Sequence, residues 1–181
     1  MLIMILIFYR TAQNRGDMVR APCQADAVMS QALHPADAVH AAPLRQASTT
    51  LTLHTPGPGL HDFTRETAQW AAAQGMDSGL LTLFCRHTSA SLCIQENAAR
   101  EVRGDIVRWL DRLAPESTAY AHDDEGPDDM PAHLKSILTG VSLSIPLVGG
   151  QLALGTWQGI YLCEHRRMAH RRQIVLHLVG A

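Results

Sequence analysis

The sequence predicts an α+β protein, a single compact domain with a mainly antiparallel β-sheet or sandwich and two main helices. Three observations carry this. Several short stretches alternate apolar and polar residues, the period of a half-buried strand. Two longer segments repeat their apolar residues at helical spacing. The strands cluster, with short glycine- and proline-containing turns between them, instead of alternating one-for-one with helices.

The domain is expected to span residues 45–181, behind an N-terminal extension over 1–44. The extension opens with an apolar run from Leu2 to Phe8. That run is far shorter than the roughly 20 residues a bilayer needs, and no basic residue precedes it. A short strand, or an upstream translation start, accounts for it better than a secretory signal does. Residues 11–44 are rich in alanine, carry Pro22, Pro35 and Pro43, and show no sustained period of 2 or 3.6, so poor order is expected there.

Within the domain, STTLTLHT alternates with Leu51 and Leu53 on one face, so it reads as a strand, and TPGPG breaks it. HDFTRETAQWAAAQG reads as a helix capped by His61 or Asp62, with Phe63, Thr67, Trp70 and Ala71 on one face and Gly75 ending it. SGLLTLFCRHT and SASLCIQ follow as strands. A longer helix is expected from about Ala98 to Leu113, with Val102, Ile106, Trp109, Leu110 and Leu113 as its apolar stripe, and Asn97 is a plausible N-cap. A short helix is expected from Pro131 to Leu138, with proline in its first turn. VSLSIPLV reads as a strand, Gly149 and Gly150 as a turn, and QLALGTWQGIYLCEH as a strand broken by glycine. RRMAHRR is expected to be a hairpin tip leading into the last strand, QIVLHLV.

The composition narrows the function. The chain of 181 residues is 46% hydrophobic and 18% charged, which fits a globular core and not a disordered chain. A formal charge of −2 and 5% aromatics give no reason to expect binding to nucleic acid or to an anionic membrane. The cysteines, Cys23, Cys85, Cys93 and Cys163, form no C-x-x-C pair, and buried reduced thiols are expected. Ten histidines are the one compositional pointer to metal or acid-base chemistry.

Four stretches concentrate polar groups. AHDDEGPDDMPAHLK has two histidines, His122 and His133, around a run of acids. It is not an EF-hand loop: with Gly126 at the sixth position, Ala121 and Ala132 fall where the first and twelfth ligands belong. By residue type a transition-metal site and a solvated acidic loop both remain open. In FCRHTSASLCIQEN, His87 ends an apolar strand beside small residues, either as part of a site or as a satisfied histidine at the edge of the core. Ser89 and Ser91 lie near it in sequence, but no third group that would orient a nucleophile is visible. In LGTWQGIYLCEH, Trp157 and Gln158 could present a ring and an amide to a ligand, and Glu164 could be a carboxylate at a strand end. The run containing Arg166, Arg167, Arg171 and Arg172 suits phosphate capture or a merely soluble tip. No phosphate-binding loop, nucleophile elbow or dinucleotide fingerprint is present.

Taken in order, FCRHTSASLCIQEN, HDDEGPDDMPAHLKSILTG, IPLVGGQLALGTWQGIYLCEHR and RRQIVLHLVG resemble the YjbQ family, UPF0047, from about Arg45 to Ala181. The resemblance implies a homotrimer and a pocket holding a divalent metal ion, zinc for preference, on His87, His122 and His133. It implies Glu96, Asp129 and Glu164 as catalytic candidates, with Asn97, Trp157, Gln158 and Arg166 binding a small, phosphorylated substrate. It also implies a cytoplasmic protein with a weak thiamine-phosphate synthase activity, which couples a pyrimidine diphosphate to a thiazole phosphate. A metal-dependent hydrolase of a small phosphorylated or cyclic metabolite, and a non-enzymatic metabolite- or metal-binding protein, are the alternatives.

Overall fold

The structure, a computed structural model, describes residues 42–181. The expectations for Leu2–Phe8, and for most of the proposed extension over 1–44, fall on residues 1–41, outside the described residues. Residues 42–44 have no regular structure, and the first strand begins at Arg45.

Among the described residues eight strands form two antiparallel sheets. The five-stranded sheet has the order β1 (Arg45–Thr55), β8 (His170–Gly180), β3 (Gly79–Cys85), β5 (Ser142–Val148), β6 (Gln151–Leu152). The three-stranded sheet has the order β2 (Gly59–Asp62), β7 (Gln158–Glu164), β4 (Ala90–Glu96). The alternation legible in the sequence aims one face of the large sheet at the core: Leu81, Leu83, Ile145, Leu147, Ile174, Leu176 and Leu178 are all buried. Leu92, Ile160 and Leu162 of the small sheet meet them, together with Phe63 and Ala71. Every residue of β7 after Gln158 is buried, as expected for a central strand covered on both faces.

The described residues also form three helices, α1 (Thr64–Ala72), α2 (Arg100–Leu113) and α3 (Asp129–Thr139). Helix α2 packs on β2 and α3 on β4. In α1 the expected face holds, with Phe63, Thr67 and Ala71 buried, and Gly75 takes the left-handed φ of +62° that ends a helix. Its start differs from expectation, because His61 and Asp62 belong to β2 and the Asp62 carboxylate accepts hydrogen bonds from the Thr64 N–H and hydroxyl. Helix α2 begins at Arg100, so Asn97 is not its N-cap; Glu96 Oε1 accepts the Ala99 N–H instead. Of the α2 stripe only Leu110 is fully buried. The third helix starts two residues before Pro131 and, at 11 residues, is longer than α1 at 9.

The glycine pair behaves as expected: Gly149 and Gly150 have φ of +57° and +71° and join β5 to β6. The expected hairpin tip is a correction. Strand β7 pairs with β2 and β4, while β8 pairs with β1 and β3, so residues 165–169 carry the chain from one sheet to the other. Arg171 and Arg172 therefore lie within β8. A short loop between two strand-like runs cannot by itself specify which sheet each run joins.

Candidate metal centre and adjoining cavity

Helix α3 organises the polar site. Asp129 and His133 are four residues apart, so they share one helix face. The loop before the helix brings in His122. Its Nε2 lies 2.8 Å from Asp129 Oδ2, and His133 Nε2 lies 3.1 Å from the same oxygen. The two rings are 5.8 Å apart between centroids. One ligand atom from each of His122, Asp129 and His133 can be chosen so that all three lie within 4.8 Å of one another. Donors about 2.0–2.2 Å from a tetrahedral ion are separated by roughly 3.3 Å, so this cluster is near that scale.

The surroundings orient each donor. His133 Nδ1 is 3.1 Å from the Thr88 carbonyl oxygen, which can only accept, so Nδ1 carries a hydrogen. In the neutral ring the Nε2 lone pair then faces a carboxylate oxygen. That contact becomes favourable with a proton on Nε2 or with a cation between the two atoms. Asp129 is 2% exposed, and its other oxygen accepts from Arg166. Arg166 also donates to Asp128 Oδ2 at 3.1 Å and to the Glu125 carbonyl at 2.7 Å. Burial pushes the Asp128 carboxyl up, but the Arg167 amide and the Arg166 guanidinium outweigh it and hold the group below its ordinary range. Asp123, Asp124 and Glu125 are exposed, the solvated lip that their sequence suggests, whereas Asp128 is buried.

His87 lies outside this cluster. Its Nε2 accepts the Gln173 N–H at 2.8 Å. Burial lowers its pKa from the ordinary histidine value, with the Arg172 charge acting in the same direction. His87 and His133 do share an open cavity of about 780 Å³, lined also by Phe84, Cys85, Arg86, Thr88, Ser136, Ile137, Gly140 and Val141.

The remaining candidates divide. Glu96, Trp157 and Gln158 line a separate hollow of about 500 Å³. Asn97 lies beside it, donating to the Gln158 carbonyl. In the β4–β7 ladder Glu96 pairs with Gln158 and Ala90 with Glu164, so this group lies six residues, roughly 20 Å, from the Glu164 end. Glu164 is the strand-end carboxylate that the sequence suggested, and all its partners are supplied by the protein. Its Oε2 accepts from Thr55 Oγ1 and Arg172 Nε, both at 2.7 Å, and its Oε1 accepts from Arg172 at 2.6 Å and from the Arg166 N–H at 3.0 Å. Burial pushes the Glu164 carboxyl up, but Arg172 and these donors win and lower it. Three of the four arginines are likewise committed, Arg166 on Asp128 and Asp129, Arg167 on Glu116, and Arg172 on Glu164, while Arg171 is exposed on β8.

Sequence proximity linked Ser91 to His87; the structure pairs it with His165. Thr139 Oγ1 donates to the Lys135 carbonyl, so the Ser91 hydroxyl donates to Thr139 and accepts from His165 Nε2, 2.7 Å away. A fully buried serine that accepts a hydrogen bond from its histidine, instead of donating one to it, is not an activated nucleophile. Burial, reinforced by the Lys135 charge, pushes His165 from its ordinary value of 6.5 down to about 4. Between those values the unfolded chain binds more protons than the folded one, so stability rises with pH. The contribution is complete above the unfolded value, is lost as pH falls, and amounts to about 3 kcal/mol by the time pH is below the folded value. Urea midpoints at pH 7 and pH 4.5 check this. His165→Gln, which can keep a donor on Ser91, is expected to flatten the difference.

A family described as UPF0047 protein YjbQ-like matches residues 49–181. A UPF0047 protein of Synechocystis is 46% identical over 141 residues, covering 77% of this chain and 96% of its own length. The UPF0047 protein YjbQ of Salmonella typhimurium is 46% identical over 132 residues, covering 72% and 96%. Among solved structures, a YjbQ/UPF0047 protein of Clostridium acetobutylicum superposes with a TM-score of 0.66 at 34% identity, covering 71% of this chain and 97% of that one. A YbjQ-like protein of unknown function from Sulfolobus solfataricus gives 0.72 at 24% identity over 77% and 100%, a likeness of fold.

Proposed function

Since the chain belongs to the UPF0047 YjbQ-like family, we propose that it is a metal-dependent enzyme acting on a small molecule, with His122, Asp129 and His133 holding a divalent ion, zinc for preference. The observation that supports this most is the convergence of His122 Nε2 and His133 Nε2 on one buried carboxylate oxygen. Two histidines and one carboxylate are a familiar zinc donor set that leaves a coordination position open. When bound, such an ion supplies Lewis-acid polarisation of a substrate oxygen or of water.

The chain's own groups do the rest. Thr88 fixes the His133 tautomer, and Arg166 fixes the Asp129 rotamer and balances its charge. Hydrolysis of a small metabolite is the reaction we favour over thiamine-phosphate synthesis. Coupling releases diphosphate, which needs several free cations near the site; Arg166, Arg167 and Arg172 are each paired with carboxylates, which leaves Arg86, among the described residues, as the one permanent cation lining the adjoining cavity. The buried thiol of Cys85, with no sulfur partner among the described residues, supports a cytoplasmic setting, and among the described residues no helix is long and apolar enough to cross a membrane. Exposed Leu80, Phe84 and Val148 on the outer face of the large sheet support self-association, proposed as the homotrimer and readable by light scattering.

The test is metal content by mass spectrometry on the purified protein and on His122→Ala and His133→Ala. About one ion per chain in the parent and a loss of most of it in both variants is expected. Equal content in all three would sink the assignment. Assays of the loaded protein, with and without the thiazole phosphate partner, separate hydrolysis from coupling.

A further inference from the structure

The cavity beside His133 has two features that together specify a ligand. Its wall is largely apolar, with Phe84, Ile137 and Val141 from β3, α3 and the segment entering β5. Its volume, about 780 Å³, is that of a small-molecule site. Among the lining residues Arg86 is the one permanent cation, and its NH1 lies 3.5 Å from Gln173 Oε1.

The second feature is the tautomer of His87. The Gln173 backbone N–H can only donate, so His87 Nε2 must accept, and the hydrogen of the neutral ring sits on Nδ1. Neither nitrogen then offers a free lone pair. Among the described residues His87 Nδ1 makes no hydrogen bond, and the ring lines the cavity. His87 is therefore a neutral donor held beside a candidate Lewis-acid centre.

We propose that this cavity binds a carbonyl- or carboxylate-headed molecule with an apolar, ring-sized body, and that His87 is the binding residue that donates Nδ1–H to its oxygen. This rests on the metal reading above, with His87 as a ligand-binding group outside the metal set. A neutral donor and one exposed arginine suit a carbonyl or a single carboxylate. A phosphate dianion asks for more positive charge than this wall supplies.

The experiment is calorimetric titration of the zinc-loaded full chain with phenylacetate and with phenyl phosphate, two probes with the same ring. Zinc content is measured beside each titration in His87→Ala, His87→Asn and His133→Ala. Phenylacetate is expected to bind more tightly than phenyl phosphate. His87→Ala should weaken it roughly tenfold, and His87→Asn, whose amide nitrogen can stand near Nδ1, should restore most of the loss. Zinc content should stay at the parental level in both His87 variants and fall in His133→Ala. Tighter binding of phenyl phosphate, no binding of phenylacetate, or an unchanged affinity in His87→Ala overturns the proposal. So does loss of zinc in the His87 variants, which would leave the metal centre standing and return His87 to its ligand set. Zinc retained by His133→Ala would instead count against the metal centre itself.

Discussion

Replacement of Arg172 by leucine is expected to destabilise the domain by about 3–5 kcal/mol, the cost of leaving a buried charge without its partner. The side chains of Arg172 and Glu164 are 5% and 0% exposed. The pair spans the two sheets, Arg172 on β8 and Glu164 on β7, so breaking it strands a carboxylate inside the inter-sheet layer. Thr55 Oγ1 and the Arg166 N–H remain on that carboxylate and keep the loss from being larger. Arg172 also reaches the Ser89 carbonyl at 3.4 Å, in the loop whose Thr88 carbonyl holds His133. Urea denaturation of R172L, of E164L and of the double variant measures the effect. The double variant should regain part of the loss of R172L, because no uncompensated charge remains. A change below roughly 1 kcal/mol in R172L would mean that the pair is not buried in solution as it is here.

Asp129→Asn is expected to reduce zinc affinity at least roughly 100-fold while leaving the fold intact. The substitution keeps the shape of the side chain and removes the charge on which both imidazoles converge. Arg166 stays anchored by Asp128 and the Glu125 carbonyl, so the loop is held without Asp129. Competition with a chromophoric chelator gives the affinity, and urea denaturation gives the stability. An affinity within about threefold of the parent would remove Asp129 from the site. The two variants probe opposite ends of the structure's electrostatics: R172L changes stability, and D129N changes ion binding.

The divided outcome for the candidate residues has a physical source. The acidic stretch itself singled out His122 and His133, and the family resemblance added His87 as a third ligand and Asp129 as a catalytic candidate; the fold brings Asp129, not His87, to the two histidines. The same resemblance grouped Glu96, Asn97, Trp157 and Gln158 with them, yet the β4–β7 ladder places that group at its far end. His87 reaches the cavity but spends its Nε2 on β8, a contact set by sheet pairing across 86 residues of sequence. Asp128 and His165 carried no local signal at all. Asp128 became buried through Arg166 and Arg167, and His165 through Ser91 and Lys135.

By itself the sequence determined the α+β class, most strand and helix positions, the buried face of α1, the turn at Gly149–Gly150 and the exposed acidic lip. Each of these follows from periodicity or from the conformational preference of single residues, which act over a few positions of chain. The tertiary structure alone decided that β7 and β8 enter different sheets, that Arg166, Arg167 and Arg172 are paired with carboxylates, and that His87 Nε2 accepts from the Gln173 N–H. Those outcomes depend on which distant partner satisfies a hydrogen bond or a charge, and a pairing between remote segments leaves no period in the sequence of either one.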